Sequence, residues 1–274
     1  MNIKRMVLRW MVMPIRLKSA LSYAGGRLVQ VTRWLFNSRE HTNLTYNLTE
    51  LNQRYLAHFL GIICNRSVET MQEYMREVLN DEQLRAHIVR HTREGSRNYL
   101  ADDDPRYARR IGWYAIVRAT RPKVVIETGV DKGLGSCLLT AALMRNSEEG
   151  YPGTYYGTDI NPKAGYLLQA PYNQFGQILY GDSIDSLKKL AVTIDLFIND
   201  SDHSLEYEMR EFETVAGKLS PQAIVIGDNS HFSDKLINFA TKTNRDFLYF
   251  HEQPKDHWYP GGGIGIAYTR QPSV

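Results

Sequence analysis

The chain has 274 residues, of which 43% are hydrophobic and 23% charged, as expected for a globular protein that buries a substantial core. No apolar run approaches the roughly 18 residues that a membrane-spanning helix needs. Two widely separated cysteines, Cys64 and Cys137, exclude a disulfide framework and a cysteine-rich metal cluster. We therefore expect a cytoplasmic protein with one large domain, or a catalytic domain with an extension.

Residues 1–40 form a basic segment. They contain eight lysines and arginines and a single acid, Glu40, for a charge of +7, whereas the remaining 25 basic and 29 acidic residues give −4. Arg5, Arg9 and Arg16 would lie on one helical stripe among apolar side chains. Such a segment can pack on the domain or on a second subunit, or lie on an anionic membrane through residues 1–36. Nucleic-acid binding is disfavoured because the rest of the chain is acidic.

Residues 41–105 are predicted to be a helical extension that acts as a lid or an oligomer contact. Apolar residues recur at helical spacing after Thr49, which can cap the first helix. A second helical stretch begins at Ser67 and extends over residues 67–92. The sequence ADDDPRY then predicts a turn, and one more helix ends at Arg121-Pro122.

Seven short apolar runs follow in residues 106–274, and helical stretches separate most of them. Continuous rather than alternating apolarity indicates strands buried on both faces. The sequence therefore predicts an α/β fold, a Rossmann-like, doubly wound, mostly parallel seven-stranded sheet behind an N-terminal helical extension. Ligands of such folds bind at the carboxyl ends of the strands, where this chain repeatedly places acids. The predicted strands are KVVIETG, TYYGTDI, GQILYGD, IDLFIND, AIVIGDN, DFLYFHE and GIGIAYT.

A glycine-rich turn joins the first predicted strand to a helix. Gly129, Gly133 and Gly135 let the backbone approach a ligand closely, and the helix presents its amino end to that ligand. The pattern G-x-G-x-x-G/A of dinucleotide-binding proteins is not met, because its third position, counted from Gly133, is Leu138. An NAD enzyme is therefore disfavoured.

The spacing E-x-G-x-x-x-G-x-G-S, from Glu127 to Ser136, resembles the first motif of class I S-adenosylmethionine-dependent methyltransferases. The resemblance extends over residues 106–274. It implies that Asp159 holds the ribose hydroxyls of the cofactor, that Asp182 lies beside the adenine, and that Glu127 positions the amino-acid end. The implied cofactor-binding residues are Glu127, Thr128, Gly129, Gly133, Ser136, Asp159, Asp182 and Ser183.

Within that superfamily, FINDSDHSLEYEMREFE followed by AIVIGDNSH resembles the metal-dependent O-methyltransferases, both catechol-type and sugar-modifying. The resemblance implies a Mg²⁺ ion on Asp200, Asp228 and Asn229, whose hard oxygen donors suit that ion. The metal would lower the pKa of an acceptor hydroxyl and orient it.

A general base must accept the proton of that hydroxyl, and two residues are the main candidates. No dedicated base, or another residue such as His231 or His257, also stays open. His203 matches a basic residue of the catechol-type enzymes, and histidine is the side-chain type suited to proton transfer near neutral pH. Asp202 matches an acid that some sugar enzymes use. Alternatively, Asp202 or Ser204 only caps the helix that begins near Leu205.

The sequence thus predicts a Mg²⁺-dependent and S-adenosylmethionine-dependent O-methyltransferase that acts on a sugar or natural-product-like small molecule. The sugar preference comes from the resemblance alone. Two alternatives stay open: a metal-independent N- or C-methyltransferase, and a membrane-recruited scaffold with a retained cofactor pocket. A homo-oligomer is expected, and the identity of the acceptor is not predicted.

Overall fold

The computed structural model describes residues 8–41 and 45–270. Helices precede the first strand, and three of them begin after a residue whose side chain caps the helix. Thr49, Ser67 and Asp81 each accept a hydrogen bond from a backbone N–H in the first turn that follows. The helices are α1 (Met13–Asn37), α2 (Glu50–Cys64), α3 (Val68–Leu79), α4 (Glu82–Glu94) and α5 (Arg110–Thr120).

The sheet that follows has seven strands in the order β3-β2-β1-β4-β5-β7-β6. Neighbours from β3 to β5 are parallel, whereas β7 pairs antiparallel with both β5 and β6. The strands are β1 (Val124–Thr128), β2 (Thr154–Asp159), β3 (Gly176–Tyr180), β4 (Ile194–Asn199), β5 (Leu219–Gly227), β6 (Asp246–His251) and β7 (Gly263–Tyr268). The helices after β1 are α6 (Leu134–Glu148), α7 (Ser183–Lys189), α8 (Leu205–Ala216) and α9 (Lys235–Lys242).

The predicted fold class is confirmed, since all seven predicted runs are strands of one mostly parallel sheet. One helical expectation was wrong in detail. The stretch 67–92 is two helices, because Asp81 caps a new helix after α3 ends at Leu79. The first helix begins after Thr49 as expected, and ahead of it the buried Leu48 forms a bridge with Pro254.

One hydrophobic core joins the helical extension to the sheet. Leu56, Leu60 and Met71 are fully buried and belong to the same cluster as Ile116 and Ile226. The division into 41–105 and 106–274 therefore separates segments of sequence that share a core. Among the described residues, no helix is both long and apolar enough to cross a membrane. Of the predicted basic segment, residues 1–7 lie outside the described part of the chain.

Candidate active site

A cavity of about 870 Å³ opens at the carboxyl ends of the parallel strands. Residues from the turns after β1, β2, β3, β4 and β5 line it, together with the start of α5 and the loop before β7. Three predicted site residues, Thr128, Gly133 and Ser136, lie behind its lining. The predicted residues that line the cavity are Glu127, Gly129, Asp159, Asp182, Ser183, Asp200, Asp202, His203, Asp228 and Asn229.

The turn after β1 requires glycine at two positions. Gly129 has φ +80°, and a Cβ atom there would lie 2.0 Å from the carbonyl oxygen of Asp200. A Cβ on Gly135 would lie 2.2 Å from Oε1 of Glu127. The absence of side chains thus lets β1, β4 and the start of α6 meet closely at the cavity.

Glu127 is a buried carboxylate at the end of β1. It accepts hydrogen bonds from the hydroxyls of Tyr155, at 2.5 Å, and Ser136, at 3.2 Å. Burial outweighs these hydrogen bonds and raises the pKa of Glu127 to about 7. The side chain therefore changes charge near neutral pH while it faces the cavity.

Asp159 and Asp182 lie at the ends of the next two strands. Asp159 accepts hydrogen bonds from the backbone N–H groups of Asp131, at 3.0 Å, and Asn161, at 2.8 Å. Asp182 caps α7 by accepting from the N–H of Asp185, which lowers the pKa of the Asp182 carboxyl. Both carboxylates are thus held in place, and each retains lone pairs for a ligand.

Glu211, on α8, ties the strand ends together from beneath the cavity. It is fully buried and accepts hydrogen bonds from Thr128, Ser183, Asn199 and Ser201. Burial raises the pKa of this carboxyl. The predicted residues Thr128 and Ser183 are therefore positioned by a carboxylate that the sequence patterns did not single out.

Two carboxyl groups meet where β4 and β5 end. Asp200 and Asp228 both line the cavity there, and each affects the pKa of the other. Burial and the neighbouring Asp228 raise the pKa of Asp200 well above its usual range. Burial alone would also raise the pKa of Asp228, but Arg109 reverses the direction and lowers it. In the described chain, no three His, Cys, Asp or Glu side chains converge as a metal site.

Two arginines at the start of α5 face these carboxylates. Arg109 forms an ion pair with Asp228, and its Nη1 atom lies 3.4 Å from the buried carboxylate of Glu252. The Nη2 atom of Arg110 lies 3.7 Å from Asp200. Ala108, with φ +47°, turns the chain just before these residues. No sequence pattern predicts this contact, because Arg109 and Glu252 are 143 positions apart.

His203 and Asn229 form a pair beside the two carboxylates. The Nδ1 atom of His203 lies 2.5 Å from the amide oxygen of Asn229. An amide oxygen only accepts hydrogen bonds, so Nδ1 carries the proton and Nε2 keeps a free lone pair. Asp202 instead accepts from the backbone N–H of Ser204 at 2.7 Å. Neither Asp202 nor Ser204 makes the expected side-chain cap of α8.

Comparisons with known proteins place this geometry in context. Residues 126–230 match the family model of a methyltransferase domain, and no curated protein matches the chain. An O-methyltransferase from Bacillus cereus in complex with SAH has a TM-score of 0.52 at 15% identity, covering 72% of this chain and 96% of that one. At this identity the likeness shows the fold alone.

Two further solved structures are similar over much of their length. TomG from Streptomyces achromogenes, an O-methyltransferase of tomaymycin synthesis in complex with SAM, has a TM-score of 0.49 at 15% identity, covering 70% of this chain and 91% of that one. The SAH-bound methyltransferase PaMTH1 from Podospora anserina has a TM-score of 0.48 at 14% identity, covering 69% of this chain and 88% of that one.

Proposed function

Because residues 126–230 match the family model of a methyltransferase domain, we propose that the chain is an S-adenosylmethionine-dependent enzyme that methylates a hydroxyl group of a small molecule with the help of Mg²⁺. The observation that carries the proposal is the division of one cavity into two sides. Acids at the ends of β1, β2 and β3 line one side. The pair Asp200–Asp228 and the pair His203–Asn229 line the other.

The cofactor side has the donors and acceptors that S-adenosylmethionine needs. The cofactor supplies the electrophilic methyl group, so the protein has mainly to align it with the acceptor. Asp159 would accept the ribose hydroxyl protons, and Asp182 and Ser183 would face the adenine. Glu127, as a carboxylate, would attract the ammonium group. Thr128 and Ser136 would act indirectly, by orienting Glu211 and Glu127.

The acceptor side has donors that fit a divalent cation. Asp200, Asp228 and Asn229 offer hard oxygens, and a cation would offset both the burial and the neighbouring Asp228 charge that raise the pKa of Asp200. Mg²⁺ at these residues would supply Lewis-acid activation of the acceptor hydroxyl. Arg109 already neutralises part of that charge, so the guanidinium and the ion would share Asp228.

His203 is the base that the geometry favours over Asp202. Its hydrogen bond to Asn229 fixes the tautomer that leaves Nε2 free to accept the acceptor's proton. One carboxylate oxygen of Asp202 is already engaged by the backbone of Ser204. Asp202 would therefore shape the loop after β4, and His203 would remove the proton.

A metal-independent methyltransferase is the second candidate, and one observation favours it. The ion pair of Arg109 with Asp228 neutralises a proposed metal ligand without any metal. In that case the acceptor would be a nitrogen or carbon nucleophile that needs no Lewis acid. A non-catalytic scaffold with a retained cofactor pocket is the third reading, and it predicts binding without turnover.

The test is formation of S-adenosylhomocysteine with a panel of sugars and polyhydroxylated small molecules, in Mg²⁺ and in excess EDTA. We expect turnover in Mg²⁺ and loss of it in EDTA. His203→Gln should lower turnover by about 100-fold or more, the range of a lost general base. Asp202→Asn is the matched control and should retain most activity. Turnover that EDTA leaves unchanged would contradict the metal, and a larger loss in Asp202→Asn would reverse the choice of base.

A further inference from the structure

Helix α1 carries an apolar stripe that faces outward. None of the residues Met13–Asn37 is buried. The backbone continues helically from residue 8, since the N–H of Val12 bonds to Leu8 and that of Arg16 to Val12. At one residue per 100°, six large apolar side chains fall within a sector of about 80°. They are Trp10, Met13, Leu17, Leu21, Leu28 and Leu35, each between 48 and 65% exposed.

The charge on this helix has one sign. Residues 8–39 contain six basic residues and no acidic one. Arg9, Arg16 and Arg27 project along one edge of the apolar stripe, where a long side chain can extend its guanidinium toward water while its stem covers apolar surface. The helix thus combines an apolar stripe with positive charge along one edge, and further apolar side chains, among them Met11, Ile15 and Phe36, are exposed outside the stripe.

We propose that α1 binds an anionic membrane surface, lying parallel to it with the apolar stripe buried among the acyl chains. Helices with this pattern bind through buried apolar area and through attraction to anionic lipids. A second copy of α1 fits less well, because two cationic helices would repel and α1 carries no acid to compensate. The proposal goes beyond methyl transfer and does not depend on it.

The end of α1 is joined to the border of the cavity. Trp34 packs against Trp258 with ring centroids 5.3 Å apart, and the adjacent Tyr259 lines the cavity. Just beyond the helix, Glu40 pairs with Lys132, which also lines the cavity, at 3.3 Å. Membrane binding would therefore hold the loop before β7 and the cavity entrance close to the lipid surface.

The experiment is co-sedimentation of the full chain with vesicles of phosphatidylcholine alone and of phosphatidylcholine mixed with phosphatidylglycerol. We expect binding to the mixed vesicles that high salt weakens, and little binding to phosphatidylcholine alone. The double variant Arg16→Gln/Arg27→Gln should weaken binding on the order of 30-fold, because it removes the attraction of two basic residues to the anionic surface. Leu21→Ser/Leu28→Ser should weaken it by more than about tenfold.

As matched controls, an exposed apolar residue and an exposed basic residue are replaced on helices other than α1. Ile62→Ser on α2, where Ile62 is 63% exposed, and Lys242→Gln on α9 should bind like the unmodified protein. All variants should keep the melting temperature, because the altered side chains are exposed. Absence of binding to mixed vesicles would overturn the proposal. So would a dimer in solution that the Leu21→Ser/Leu28→Ser variant dissociates, since a second copy would then cover the stripe.

Discussion

Burial of the charged Glu127 carboxylate destabilises the folded state, and the same carboxylate has the cofactor-binding role that we propose. Its pKa, raised from 4.5 to about 7 by burial, means that the folded state tolerates the charged form poorly. The stability that the neutral acid contributes is present below pH 4.5 and is lost as the pH rises through 7. Above that range, the carboxylate is available to attract the ammonium group of S-adenosylmethionine.

Replacing Glu127 with Gln should therefore raise stability and lower cofactor affinity at the same pH. At pH 8, the free energy of unfolding of Glu127→Gln should exceed that of the unmodified protein by up to about 3 kcal/mol. The difference should vanish below pH 4.5. Urea denaturation at several pH values measures it, with the exposed Glu206→Gln on α8 as control. A variant that is less stable at every pH would show that the hydrogen bonds of Glu127, rather than its charge, dominate.

Four acids that sequence reasoning found at the site lie at the carboxyl ends of parallel strands. Asp159, Asp182, Asp200 and Asp228 could be predicted because the carboxyl ends of parallel strands meet at one edge. Arg109 is at the cavity for a different reason. A left-handed residue, Ala108, turns the chain, and only the folded chain brings Arg109 near β5.

At the scale of elements, the helices before the sheet are part of the domain core. A Cβ added to Gly112 on α5 would lie 3.3 Å from side-chain atoms of Leu56 and Leu60 on α2. This close packing holds α5, and with it Arg109 and Arg110, against the sheet. The helical extension thus supports the acceptor side of the cavity, and a lid or oligomer role for it stays a prediction.

Leu60→Ala should test this packing directly. Leu60 is fully buried, so the variant should lose about 2–5 kcal/mol of unfolding free energy through lost contacts and the cavity left behind. Ile62→Ala on the same helix, where the side chain is 63% exposed, should change stability by less than about 0.5 kcal/mol. Equal effects in urea denaturation would indicate that α2 does not share the core of the sheet.

Strands could be predicted from sequence more accurately than the ends of helices. Buried parallel strands appear as short continuous apolar runs, and here their shortness, their β-branched and aromatic residues and the glycines and acids that follow them distinguished them from helices. The break between α3 and α4 depends on one capping residue, Asp81, within an otherwise continuous helical pattern. The bridge from Leu48 to Pro254 joins distant parts of the chain, so no local pattern indicates it.

At the scale of the whole molecule, the methyltransferase domain expected from the Glu127–Ser136 motif agrees with the match of residues 126–230 to the family model of a methyltransferase domain. The acceptor, the metal and the assembly state stay predictions. A basic amphipathic helix could be read from the sequence, whereas its outward-facing apolar stripe needed the fold. The described chain thus has a cavity in which we propose that the reaction takes place, and N-terminal helices that share a core with the sheet. An exposed helix lies beside the cavity entrance.

In the proposed mechanism, one cavity holds the cofactor on the β1–β3 side and the metal and acceptor on the β4–β5 side. Calorimetric titration of S-adenosylmethionine into the unmodified protein, Asp159→Asn and Asp228→Asn, each in Mg²⁺ and in EDTA, tests it most directly. We predict binding to the unmodified protein in both conditions, and a loss of about 10- to 100-fold in Asp159→Asn, the range for hydrogen bonds to a charged group. Asp228→Asn should bind the cofactor almost normally. No binding to the unmodified protein, or equal losses in the two variants, would contradict the account.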